Sequence, residues 1–196
     1  MRRIAQLVAG IALLGGCGEK LPTETTARIQ SQTAASQESG QNEGDASASV
    51  RRDLATLRRV TAPFHSFRKA KAAGWLTKIT DCMTDPKGAG GMGFHYGNTA
   101  LINATVRVDE PELLLYEPEK DGRLRLVAVE YIIPYNYHSR ESAPPVLFGQ
   151  QFKQNDTFQL WGLHAWVWKE NPSGIFANWN PRVSCRYATA VSAMSH

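Results

Sequence analysis

Cysteine is scarce in this chain, with three in 196 residues at positions 17, 82 and 185. None stands in a Cys-x-x-Cys spacing, which excludes a compact redox-active pair. Long hydrophobic runs are also missing: no stretch approaches the ~20 apolar residues that a membrane-crossing helix needs, so a polytopic membrane protein is excluded. No aromatic side chain occurs between Glu19 and Val50. Neither sign of charge dominates, with 22 basic against 18 acidic residues. The 42% hydrophobic and 20% charged content excludes collagen, coiled coil and wholesale disorder and fits one modest domain.

What is present begins with an address. Met1-Arg2-Arg3 is basic, and Ile4 to Leu14 is apolar over the length of a signal-peptide core. Leu14-Gly15-Gly16-Cys17 then resembles the lipobox of bacterial lipoproteins, in which cleavage precedes the cysteine and its sulfur carries a diacylglyceryl group. The resemblance implies that residues 1–16 are a signal peptide and that the chain meets the membrane through lipid on Cys17. Two acyl chains anchor stably where one is marginal, at about 0.8 kcal/mol per buried methylene. Gly18 stands where an aspartate would signal inner-membrane retention, so the expected destination is the outer membrane, facing the periplasm.

Residues 17–50 read as a stalk of Ser, Thr, Gln, Ala, Gly and acidic side chains, too polar to offset the entropy of ordering. As a coil, residues 18–50 reach roughly 30 Å. The stalk carries two basic against five acidic residues, whereas residues 51–196 carry 18 against 13. Residues 51–187 read as the globular body and 188–196 as a disordered tail.

In the body, Leu54, Leu57, Val60, Phe64 and Phe67 recur at helical spacing. Pro63 predicts a break, with Thr61 able to cap a new start, and Gly74 suits the helix end. Seven of the 21 residues from Arg51 to Lys71 are basic. In an exported protein these read as a solvated helix face, not a nucleic-acid patch. Beyond residue 100 the rhythm becomes β. Leu113–Tyr116 and Leu124–Ile133 flank Asp121-Gly122, a two-residue hairpin signal that sets Leu113 opposite Glu130 and Glu117 opposite Leu126. Strands are further expected at Val146–Phe148 and Leu160–Trp168. The fold class is α+β: a mostly antiparallel sheet with an N-terminal helical segment packed on it or at its edge. In an oxidising periplasm Cys82 and Cys185 are expected to form a disulfide.

Three segments carry unusual chemistry. Gly88 to Tyr96 contains G-x-G-x-x-G, but no strand reads out before it and no helix after it, so a nucleotide site is rejected; the glycines instead allow close backbone approach beside His95 and Tyr96. In Val127 to Ile133, alternation places Glu130 in an apolar row with Leu126, Ala128 and Ile132, where an unpartnered carboxylate is costly. In Leu163 to Gly174, His164 is expected to share a face with Trp166 and Trp168, ahead of an Asn171-Pro172 turn; Asn180-Pro181 forms another.

Together these segments, between Ala62 and Cys185, resemble a group of secreted bacterial proteins in which Gly-Met-Gly-x-His-Tyr, Val-Glu-Tyr and Leu-His-x-Trp-x-Trp-x-x-Asn-Pro-x-Gly occur in this order. The resemblance marks the three as one unit and brings no activity with it. From the side chains, His95, Glu130 and His164 are expected to meet and to bind zinc, copper or iron, with an open position for water or substrate. Tyr96, Tyr131, His138, Trp166, Trp168 and Asn171 are outer-shell or ligand-contacting candidates. The competing arrangement has Glu130 hydrogen-bonded to a buried histidine without metal. Two further function classes stay open: a binding module gripping a glycan, peptide or envelope component with Trp166, Trp168 and Trp179, and a metal-assisted hydrolytic enzyme.

Overall fold

Apolar spacing of three and four residues makes residues 47–61 a helix, α1, whose Val50, Leu54 and Leu57 pack into the core. The computed structural model describes residues 47–189. The signal peptide, Cys17, most of the stalk and the tail from 190 lie outside the described residues. The boundary drawn between 50 and 51 is corrected: residues 47–50 are already helical.

Pro63 breaks the helix into a 3-10 turn, Ala62–His65, followed by α2, Phe67–Ala72. Thr61 does not cap the turn with its side chain; its hydroxyl donates back to the Leu57 carbonyl, and Ser66 caps α2 by accepting from the Lys69 amide. Gly74, at φ +108°, ends the helical segment.

Among the described residues eight strands follow: β1 Thr77–Thr84, β2 Gly91–Gly97, β3 Leu113–Pro118, β4 Leu124–Pro134, β5 Val146–Leu147, β6 Gln150–Gln151, β7 Lys153–Asn155 and β8 Leu160–Ala165. Six form one antiparallel sheet in the order β1-β2-β3-β4-β8-β7, and β5 pairs with β6 in a separate ribbon. The fold is α+β. Phe148 belongs to the β5–β6 turn, not to a strand, with φ +54° followed by Gly149 at +68°.

Each face of the sheet has its own apolar cluster. Leu114, Tyr116, Leu126, Val129, Tyr131 and Trp161 face the helices, with Leu57, Ala70 and Trp75. Leu113, Leu115, Val127, Ala128, Ile132 and Trp166 form the other face.

The hairpin register is a correction with two parts. The Glu119 amide donates to the Arg123 carbonyl, closing a three-residue loop with Gly122 at φ +79°, not a two-residue turn. A bulge at Val127 between the Leu115–Ala128 and Tyr116–Leu126 pairs takes up the extra residue. Leu113 therefore still faces Glu130, but Glu117 is opposite Arg125, and Leu126 turns to the helical face, away from Glu130.

The glycine run is β2 itself, and β1 precedes it, against the expectation that no strand does. Gly93 sits at φ +87°, where an added Cβ would lie 2.4 Å from the Tyr116 carbonyl oxygen. A disulfide joins Cys82 on β1 to Cys185, 103 residues later, and a Gly91–Asn180 bridge ties the same C-terminal segment to β2.

Candidate metal centre

Strand pairing sets Glu130 on β4 directly across from His164 on β8. His95 comes from β2, with β3 between. Strands repeat at about 4.8 Å, so β2 and β4 run roughly 9.6 Å apart. Their side chains nevertheless meet across β3: His95 Nε2 lies 3.5 Å from Glu130 Oε2. His164 Nε2 lies 3.7 Å from Glu130 Oε1. The carboxylate thus presents one oxygen to each imidazole. Room for it comes from Gly162, where a Cβ would stand 2.9 Å from Glu130 Oε1.

All three residues are buried, and their donor atoms lie within 4.8 Å of one another. The two N···O separations exceed the 2.7–3.2 Å of a hydrogen bond. Each lies near the ~3.3 Å between two donors of a tetrahedral ion with bonds of about 2.0–2.1 Å, one for each carboxylate oxygen. His164 Nε2 is a buried polar atom with no hydrogen-bond partner, a costly state that a bound cation relieves. Thr80 Oγ1 is hydrogen-bonded to His95 Nδ1 at 2.8 Å. The ring is thereby oriented as outer-shell partners orient metal-binding histidines. His95, Glu130 and His164 can therefore hold a metal ion.

The electrostatics suit the two histidines as donors and leave Glu130 holding its proton near pH 7 until a cation displaces it. Burial lowers the His95 imidazole to about 4 and His164 to about 3, the latter also through neighbouring His95 and Lys153. Both rings are neutral near pH 7, as metal donors must be. Burial first, and then nearby Glu112, raises the Glu130 carboxyl to about 8. A dication would supply the countercharge the site lacks.

The outer candidates divide by face. Trp166 stacks on His164, with centroids 6.2 Å apart and planes at 11°, and its indole N–H donates to the Ala177 carbonyl. Tyr96 and Tyr131 are corrected. Tyr96 packs on Phe67 and Tyr116 at the helical face, and the Tyr131 hydroxyl donates to the Val108 carbonyl. Trp168 is corrected too. β8 ends at Ala165, alternation lapses, and the Trp168 indole donates to Thr61 Oγ1 on the helical side. His138 Nε2 donates to the Ala143 carbonyl beside Trp161. Asn171 acts at one remove: it accepts from the Ser173 amide and donates to the Trp179 carbonyl, fixing the turn that carries Trp179.

Thr80 escapes sequence reading because β1 does not alternate cleanly. Glu112, buried just before β3, is also missed; its Oε2 accepts from the Ile132 amide, and burial raises its carboxyl to about 8. Its even position, shared with Leu114 and Tyr116, is the available signal. In front of the donors lies a cavity of about 490 Å³, lined among others by Met83, Leu113, Ile132 and Trp179.

No protein-family model, curated protein or solved structure matches the chain.

Proposed function

We propose that this chain is a lipid-anchored protein of the bacterial envelope whose body binds one divalent transition metal through His95, Glu130 and His164. The observation that carries the reading is a buried His164 Nε2 with no hydrogen-bond partner, set in a group of three buried donors within 4.8 Å of one another. The competing arrangement, a carboxylate directly bonded to a buried imidazole, lacks the short contact it needs. Zinc is the first choice for two imidazoles and one carboxylate, ahead of iron and copper. Three protein donors leave a position open toward the cavity, and a bound ion there supplies Lewis acidity for hydrolysis.

The lipid anchor rests on the order of basic, apolar and small segments before Cys17. The tryptophan-surface reading loses most of its members. Trp166 is buried, Trp168 is engaged with Thr61, and Trp179 alone of the three borders the cavity.

The test is metal analysis of full-length Cys17→Ser protein after exhaustive dialysis in buffer supplied with trace zinc, iron and copper. One equivalent of a single metal is expected, lost in His164→Ala and Glu130→Gln. Absence of metal, or equal metal in those variants, overturns the centre. Separately, Cys17→Ser expressed in a bacterial host should leave uncleaved precursor or soluble protein; normal processing with retention in the membrane would refute the anchor.

A further inference from the structure

The cavity has a polar floor and a wall that is apolar on the side of Leu113, Ile132 and Trp179 and polar along residues 154–157. At its floor stand the two imidazoles and Glu130, and around them lie Met83, Leu113, Ile132 and Trp179. Its volume, about 490 Å³, lies within the range of small-molecule sites, 300–1,000 Å³. At its mouth two large apolar side chains are exposed, Ile79 at 39% and Phe158 at 43%. Apolar groups gathered at one opening mark a contact surface better than isolated ones do.

Charge is as informative as shape. Among the described residues no Lys or Arg lines the cavity. Asp156, the one charged lining residue besides Glu130, is committed to Arg140 at 2.7 Å and to the Tyr135 hydroxyl. The remaining polar lining is neutral: Thr80, which is bonded to His95, and Gln154, Asn155, Thr157 and Asn178. Lys153 does not line the cavity; its ammonium donates to Asn178 Oδ1 behind the lining and acts on His164 only through space. A ligand carrying a carboxylate or phosphate away from the metal would be desolvated there with no cation to receive it.

We infer that this cavity binds an apolar small molecule with a single metal-coordinating head and an uncharged body. The inference rests on the metal reading above and adds the ligand class. The head would lie toward His95, Glu130 and His164, and the body against Leu113, Trp179 and Ile79.

Full-length Cys17→Ser protein loaded with cobalt(II) tests it, with the cobalt absorption bands reporting the open position. The probes are imidazole, 4-phenylimidazole and 4-phenylimidazole bearing a para-carboxylate. The phenyl ring should tighten binding by about tenfold or more over imidazole, and the carboxylate should cancel most of that gain. Ile79→Ala and Trp179→Ala should reduce the gain while cobalt stoichiometry stays at one. Equal binding of imidazole and 4-phenylimidazole, or tightest binding of the carboxylate, overturns the inference and leaves the metal centre standing. Failure to load cobalt overturns the metal reading itself.

Discussion

The rings of His95 and His164 stand 6.1 Å apart, centroid to centroid, with their planes at 79°. Neither ring stacks on the other; both turn an Nε2 edge toward the carboxylate of Glu130. Two donors from strands that are not neighbours thus converge on one acid, and packing alone does not require that arrangement.

A ligand that binds only the folded chain stabilises it by about 2.7 kcal/mol at a hundred times its dissociation constant. For a domain of this size that is roughly 5–10 °C in melting temperature. Zinc should raise the midpoint by such an amount in differential scanning, chelator should reverse it, and His164→Ala should show no response. A response preserved in His164→Ala would place the zinc elsewhere.

Gly162 provides a subtler probe. A methyl group there would meet Glu130 Oε1 at 2.9 Å, and the flexible carboxylate, not the backbone, would give way. Gly162→Ala should leave the metal-free melting temperature unchanged or higher, since glycine weakens strands. Metal affinity by competition with a chelator should fall about 10–100-fold, the range for disturbed ligand orientation. Unchanged affinity would show that Glu130 is not held as described.

Glu112 sets a pH dependence. Its folded carboxyl is raised from 4.5 to about 8 by burial, so the fold favours the protonated form. The folded chain then keeps a proton that the unfolded chain releases. This contribution is full below about 4.5 and is lost as pH rises through about 8, with a slope of at most about 1.4 kcal/mol per pH unit. Glu112→Gln can still accept from the Ile132 amide. Urea unfolding at pH 5 and pH 8 should show the variant gaining on wild type as pH rises; a constant difference would mean that Glu112 titrates normally.

Reduction should be costly. Closing a loop of 103 residues corresponds to about 4.7 kcal/mol in the chain-entropy account, and native bridges in small exported domains typically contribute 2–5 kcal/mol. The denaturation midpoint should drop markedly with reductant or in Cys82→Ser, and thiol titration of unreduced, unfolded Cys17→Ser protein should find none. Two titratable thiols would contradict the bridge.

The class of fold was legible because helical spacing before residue 70 and β alternation after 110 are local signals. Leu113 opposite Glu130 came out correctly through two errors that cancel: the loop is one residue longer than Asp-Gly implies, and the bulge at Val127 returns the register. On the near side of that bulge the register is offset by one from the Asp-Gly expectation, so Leu126 pairs with Tyr116 and Glu117 with Arg125. Trp168 departs from strand alternation for a related reason: β8 ends at Ala165, three residues before it. The convergence of His95 with Glu130 was proposed from residue type alone. No local pattern encodes a meeting across an intervening strand.

Because His95, Glu130 and His164 belong to three separate strands, no short stretch of the chain holds more than one of them. The donors assemble only when β2, β4 and β8 close into one sheet, so the unfolded chain offers no preformed trio and any ion held there would be gained with the fold.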